Sequence, residues 1–244
     1  LDMPLSVDLS FRDDGDNYFG DPKVWDKAQK TLEKIAKEEE LDYKVELGEA
    51  AFYGPKIDIY VSDALGRKWQ CATVQLDFVQ PERFELEYTG EDGQKHRPAM
   101  VHKAILGSIE RFLSVYIEHT GGRFPVWLAP EQVRLITVNQ EDTTIKFADG
   151  IVERAKELGI RINVDNSNES VGKKIREAEV WKVPYTVVIG EKEIETNKVI
   201  PRIRKDIVVQ EKDEPVDTEI FLKTVANEAK ARTNKTSLYG VPKK

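Results

Sequence analysis

Two glutamines, Gln70 and Gln75, sit in the run Trp69 to Phe78, whose composition reads as a β-strand. Paired amides offer donors and acceptors to a small polar ligand. A spacing of five puts them on opposite faces of a regular strand. Either the strand bulges between them, or one of them lies outside any shared site. Downstream, Gly107-Ser108 carries little side-chain bulk, so another group could approach the backbone closely there. Arg111 follows four residues later, on the same face of what reads as a helix. A guanidinium binds anionic oxygens as a bidentate fork, which suits a phosphate. The plain alternative is a helix packed tightly on a sheet, with its arginine paired to a surface acid. His102, taken alone, is equally well explained as a structural histidine. Tyr53-Gly54-Pro55-Lys56 is a turn offering a phenol and an ammonium, ordinary loop chemistry by itself.

A second group of interest runs from Asn166 to Arg176. Ser170 can cap a helix there, and Gly172 keeps its first turn open. Lys173, Lys174 and Arg176 then lie near a positive helix N-terminus, a reasonable place for RNA phosphates. Lys198, Arg202, Arg204 and Lys205 add to the patch. Glu169, Glu177 and Glu179 dilute it, which favours the reading of base edges over bulk phosphate attraction. The plain reading of each cation is a solvated surface charge.

The elements that must position these residues fall into two blocks. In the first, Val7, Leu9 and Phe11 alternate with polar residues as in a half-buried strand. Asp21-Pro22 starts a helix that carries Trp25, Ala28, Leu32, Ile35 and Ala36 on one face. Strands are expected at 43–47, 56–61, 67–78 and 84–88, forming a hairpin-rich antiparallel sheet. Met100 to Glu118 reads as an amphipathic helix closed by Gly121-Gly122. Residues 124–130 read as a linker. Beyond Pro130, strands at 133–138, 160–164 and 185–189 alternate with helices at 142–158 and 170–183. A polar hairpin at 193–204 and a helix at 217–230, capped by Asp217, complete the block. This alternation predicts a mixed sheet with helices on its faces. The expected domains are 1–128 and 129–236, and the tail, 237–244 above all, reads as loose.

Bulk properties narrow the class. The chain has 244 residues, 40% hydrophobic and 33% charged, as a globular protein does. No apolar run approaches the roughly 20 residues of a membrane helix. One cysteine, Cys71, precludes an internal disulfide and fits a reducing, cytoplasmic setting. The net charge of −7 means that RNA contact must come from a local basic patch. The first residue is Leu1, within what reads as a strand, which suggests a piece of a longer protein.

Gly48 to Asp58, Trp69 to Phe78 and Val101 to Phe112, in that order, resemble the end of a class II aminoacyl-tRNA synthetase catalytic domain, of the threonyl-tRNA synthetase family in particular. The similarity runs along essentially the whole chain. The fold it implies is α/β: part of the class II antiparallel sheet with helices, then an α/β anticodon-binding domain with a mixed sheet. It also implies ATP-dependent formation of threonyl-adenylate and transfer of the acyl group to tRNA-Thr, with Mg2+ accompanying ATP. Arg111 then falls on the arginine that holds the ATP γ-phosphate, and Gln70 sits near ATP. Gly107 and Ser108 border the substrate. Tyr53 and Gln75 hold threonine, with Lys56 nearby. The family's zinc is bound by a cysteine and two histidines, and only the last of these falls within this chain, on His102. The other two zinc ligands, the second ATP arginine and the helix of the homodimer interface are expected upstream. The chain by itself is therefore expected not to adenylate threonine. Asn168, Arg176, Glu193 and Arg202 fall on anticodon-contacting positions, a less specific match because prolyl-, histidyl- and glycyl-tRNA synthetases share this domain. Two other readings stand beside this one. One is a non-catalytic RNA-binding module built from synthetase parts. The other is a prolyl- or histidyl-type enzyme, which the Gln70 to Phe78 run together with His102 opposes.

Overall fold

The computed structural model describes residues 3–210 and 214–240, which form two units, Leu1–Gly121 and Gly122–Lys244. None of the helices it describes is long and apolar enough to cross a membrane.

The first unit opens with β1 (Leu5–Phe11), then α1 (Pro22–Glu38), β2 (Tyr43–Leu47), β3 (Lys56–Ser62) and β4 (Lys68–Asp77). After these come α2 (Val79–Arg83), a short ladder of β5 (Tyr88–Thr89) and β6 (Lys95–His96), β7 (Met100–Ala104) and α3 (Ile109–Thr120). Five strands make one sheet in the order β2-β1-β3-β4-β7. All pairs are antiparallel except β1 with β2, which are joined through α1. A hairpin forces neighbours antiparallel, whereas a helical crossover returns the chain in the same direction. The Asp21 carboxylate caps α1 by accepting from the Lys23 N–H at 2.8 Å, and Pro22 fills the first helical position. The buried stripe of α1 contributes Leu32 and Ala36 to a core with Leu9, Phe11 and Ile57.

Two expectations fail in this unit. Met100–Ala104 is a strand, not the first turns of a helix, so His102 lies on the sheet. Met100, Val101, Ala104 and Ile105 fit a helical face, but β4 has an open edge that this segment pairs with, from Thr73↔Ala104 to Asp77↔Met100. Leu106 (φ 66°) and Gly107 (φ 55°) are both left-handed, which ends the strand and forces the helix to restart at its Ser108 cap. Residues 84–87 are not a strand either, and of the expected run only Tyr88 is extended, as the first residue of β5. The one-turn helix α2 precedes them, and Glu85 at φ 52° breaks the extended run.

The second unit contains β8 (Val133–Thr137), α4 (Asp142–Glu157), β9 (Ile162–Asp165), α5 (Val171–Val180), β10 (Tyr185–Ile189) and α6 (Glu191–Thr196). It ends with β11 (Lys198–Val199), β12 (Arg202–Ile203), β13 (Val216–Asp217) and α7 (Thr218–Ala231). Strand order is β12-β10-β8-β9, parallel except for the edge strand β12, so the mixed sheet is present. Leu135, Val187 and Ile189 of the sheet pack with Ala148 and Ile151 of α4 and Phe221, Leu222 and Val225 of α7. The expected hairpin at 193–204 is absent. Residues 191–196 are helical up to Asn197 at φ 52°, β11 pairs with β13, and β12 pairs with β10.

The second unit begins before residue 129. Val126 is part of its core, and Arg161 donates to the carbonyls of Ala129 (2.8 Å) and Trp127 (2.9 Å). Residues 237–240 are not loose. Leu238 is buried in the same core, and the Ser237 hydroxyl donates to Glu228 at 2.9 Å. Residues 241–244 of the expected tail lie outside the described residues.

Candidate functional site

The five-stranded sheet has one apolar and one polar face. On the polar face, the register sets Lys56, Asp58 and Tyr60 of β3 opposite Gln75, Thr73 and Gln70 of β4. A one-residue register shift makes this possible, since Ile59 pairs with Ala72 and Tyr60 with Gln70, leaving Cys71 as the extra residue. The strand therefore does bulge, and both glutamines share a face despite their spacing of five. On the far side of β4, Gln75 pairs with His102.

Asp58 is the centre of this face. It is fully buried, accepts from the Ser10 hydroxyl (2.7 Å) and the Gln70 amide nitrogen (2.6 Å), and forms an ion pair with Lys56. One carboxylate thus fixes both an ammonium and an amide of the expected site. A second cluster lies beside it. The Tyr53 hydroxyl donates to the Gln75 side-chain amide oxygen, Oε1, at 2.7 Å, and its ring lies 5.6 Å from the His102 ring. His102 Nε2 meets the buried Asp77 carboxylate at 2.8 Å. Asp77 is itself held by the Val79 and Gln80 N–H groups, both at 2.9 Å. Burial and then the Asp77 charge push the Tyr53 phenol above its usual range, so it stays a neutral donor. Gly54 cannot carry a side chain, because a Cβ there would collide with the Leu76 carbonyl oxygen.

At the bulge, Arg111 Nη1 donates to the Gln70 carbonyl at 3.2 Å. Gly107 is not on the Arg111 helix. It precedes the Ser108 cap, and a Cβ on it would sit 3.2 Å from the Cys71 carbonyl oxygen. The Cys71 thiol is pushed up by burial against the pull of Arg111, which leaves it a poor nucleophile. Tyr53, Lys56, Gln70, Gln75 and His102 thus gather on or beside one face, with Arg111 and the Gly107-Ser108 turn at its bulged strand.

Sequence reasoning passed over Asp58 and Asp77. Their signal was present: each is an acid two residues beyond a polar site residue, so each faces the same side of its strand. The donors for a metal are incomplete. Among the described residues no three His, Cys, Asp or Glu side chains come together as a metal-holding group, and Asp77 already engages one nitrogen of His102. These residues alone do not fit the zinc that the resemblance implies.

In the second unit, Asn168 follows β9 and Glu193 follows β10, two parallel-running strands of the four-stranded sheet, while Arg202 lies on edge strand β12 opposite Thr186. Asn168, Arg176 and Arg202 are exposed, and Glu193 uses one oxygen to accept from the Gly190 N–H at 3.0 Å. Arg202 also lines a cleft of about 760 Å3, where Arg123, Lys182, Arg204 and Lys205 face Glu179 and Asp206. Two expected phosphate-binding cations are committed elsewhere. Lys174 is buried and donates to the carbonyls of Thr137 (3.0 Å) and Asp165 (3.3 Å), because its helical position faces the sheet. Arg204 donates to Asp206 (2.6 Å) and to the carbonyls of Lys182 (2.5 Å) and Phe124 (2.6 Å).

Comparison with known proteins agrees with this division. Residues 11–120 match the tRNA synthetase class II core domain (G, H, P, S and T), and residues 132–228 match the anticodon binding domain. A threonine–tRNA ligase of Clostridium tetani is 48% identical over 200 residues, 82% of this chain and 31% of the relative. One of Maridesulfovibrio salexigens is 51% identical over 185 residues, 76% of this chain and 28% of the relative. The chain therefore spans about a third of the length of these curated relatives. Among solved structures, the RNA binding domain of threonyl-tRNA synthetase from Cryptosporidium parvum Iowa II superposes with a TM-score of 0.84 at 32% identity, covering 97% of this chain and 57% of that one. The chain therefore carries part of a tRNA synthetase class II core followed by an anticodon-binding domain.

Proposed function

We propose that the chain works as part of a threonine–tRNA ligase, joining threonine to tRNA-Thr at the expense of ATP, in a cytoplasmic homodimer. The observation that carries this reading is the Cys71 bulge, which brings Gln70 and Gln75 to one face with Tyr53, Lys56 and His102 and presents the Gln70 carbonyl to Arg111. Arg111 counters charge on the ATP phosphates, with Gln70 beside the nucleotide and Mg2+ accompanying it. Tyr53 and Gln75 hold the amino acid through a paired phenol and amide. The Tyr53 hydroxyl is spent on the Gln75 oxygen, so the amide nitrogen is left to donate to the substrate. Lys56, fixed by Asp58, adds a positive charge at the same face. The Gly107-Ser108 turn lets substrate come close to the backbone. Catalysis of this kind is positioning and charge stabilisation more than proton transfer. His102 contributes one imidazole, and zinc would supply selectivity for the threonine hydroxyl if ligands beyond this chain complete its site. Asn168, Arg176, Glu193 and Arg202 read the anticodon bases.

The test is threonine-dependent exchange between ATP and pyrophosphate, measured on a full-length protein carrying this chain. The expected result is exchange with threonine and not with proline or histidine, falling at least a hundredfold in Arg111→Ala, on the order of losing one preorganised electrostatic donor. Proline-driven exchange, or an Arg111→Ala variant as active as the parent, would overturn the reading.

A further inference from the structure

Helix α1 carries lysines at 23, 27, 30, 34 and 37. At 100° per residue all five fall within an arc of about 80°, extending over about 21 Å of helix. This arc is diametrically opposite Trp25, Ala28, Leu32 and Ala36, the buried face. All five side chains are exposed. The acids of the helix flank the ridge and do not neutralise all of it. Glu33 is paired with Lys37 at 2.8 Å, Glu38 with Lys34 at 3.5 Å, and Asp26 with Arg12 at 3.3 Å. Lys23, Lys27 and Lys30 have no ion-pair partner among the described residues. Like charges at i, i+3 and i, i+4 disfavour a helix. The ridge therefore works against the stability of α1, in a chain whose net charge is −7.

We propose that this ridge is a second RNA contact, taking the sugar–phosphate backbone of a nucleic-acid stem without regard to sequence. It rests on the reading that the chain meets RNA, but not on which loop the second unit reads. A row of flexible ammonium groups along one straight face matches a line of phosphates by charge alone. An anionic membrane is the poorer fit. A helix that lies on lipid must insert an apolar face as well, and the apolar face of α1 is consumed by the sheet.

The test titrates the chain with two RNAs, the tRNA-Thr anticodon stem-loop and a hairpin duplex of unrelated sequence, from 50 to 200 mM salt. Wild type is compared with the combined variant Lys23→Gln, Lys27→Gln, Lys30→Gln, which keeps helix propensity and removes three charges. Each phosphate contact contributes about 0.7 to 0.9 to the salt slope, so the slope falls by about 2 to 3. Loss of affinity over this salt range then shrinks by roughly 20- to 40-fold, alike for both RNAs. The variant keeps the wild-type melting temperature at low salt, or exceeds it, which separates lost contact from lost fold. An unchanged slope overturns the proposal. So does unchanged RNA binding with loss of cosedimentation on phosphatidylserine vesicles, which would assign the ridge to lipid. A wild-type chain that binds the stem-loop no better than the unrelated hairpin speaks against the anticodon assignment alone, because the ridge is scored on the slope.

Discussion

The two units differ in where their buried polar groups lie and what holds them. In the second, Tyr185 is fully buried, yet its hydroxyl is bound to both Glu228 (2.5 Å) and Thr236 (2.7 Å). Glu228 also accepts from the backbone and hydroxyl of Ser237, which ties the end of the described chain to the core. Burial and then the Glu228 charge drive the Tyr185 phenol far above its usual range, so it remains a donor at any working pH. The first unit has a thinner core, and three buried polar atoms without a partner among the described residues, Ser6 Oγ, Asp8 Oδ1 and Thr73 Oγ1, gather on the polar face around Asp58, while Trp127 Nε1 and Thr233 Oγ1 are the like cases in the second unit. Asp8 pairs in register with Asp58, so two carboxylates lie side by side across β1 and β3. Unsatisfied buried groups are costly and are kept where something else needs them. The comparison separates a domain whose buried tyrosine and glutamate satisfy each other from one whose unpartnered polar atoms cluster on a single sheet face.

The largest expected effect is on the self-sufficient core. Phe221→Ala removes a buried ring that meets Tyr185 edge-on at 5.6 Å, and costs about 4 kcal/mol. Hydrogen exchange read by mass spectrometry should then show loss of protection concentrated in residues 122–240. If protection in β3 and β4 falls equally, the units do not differ as described. Next comes Asp58→Ala, which strands the Lys56 ammonium and frees the Gln70 amide. A loss of about 3 kcal/mol in urea unfolding, localised to the first unit, is expected. Gly107→Ala is smaller, about 1 kcal/mol, because alanine must adopt φ +55° while its methyl presses on the Cys71 carbonyl. Its effect should appear as altered exchange at Cys71 and Arg111, with α7 unchanged.

The smallest effect concerns acid. Glu219 on α7 is held down to about 2, first by its hydrogen bonds from Arg154 of α4 (2.9 and 2.6 Å) and then by Lys223. A carboxylate depressed in the folded state stabilises it fully above its unfolded pKa, and that contribution fades as pH falls toward 2. An NMR titration of the Glu219 carboxyl should show a midpoint near 2, moving up in Arg154→Ala. A midpoint already near 4.5 in the wild type would remove this tie between α4 and α7.

Much of this was legible in the sequence where local chemistry decides. Asp21-Pro22 and Asp217 announce helix starts, and the strands at 43–47 and 56–61 follow their patterns. The spacing of Gln70 and Gln75 demanded a bulge if they were to share a face, but only pairing with β3 located it at Cys71. Local pattern failed where partners decide. Met100 to Ala104 fits two periodicities, and the open edge of β4 chose the strand. Asp58 looks like any acid in a strand until Ser10, 48 residues away, and Gln70, 12 residues away, close on it. Lys174 reads as an RNA-facing cation until the sheet takes that side of α5.

The most direct test of the central claim is binding of this chain to the tRNA-Thr anticodon stem-loop against loops with swapped anticodons, at one fixed salt concentration. The account predicts selective binding that Arg202→Ala reduces by about 1–3 kcal/mol, together with loss of discrimination between loops. Equal, weak binding to every loop, unchanged by Arg202→Ala, would contradict it.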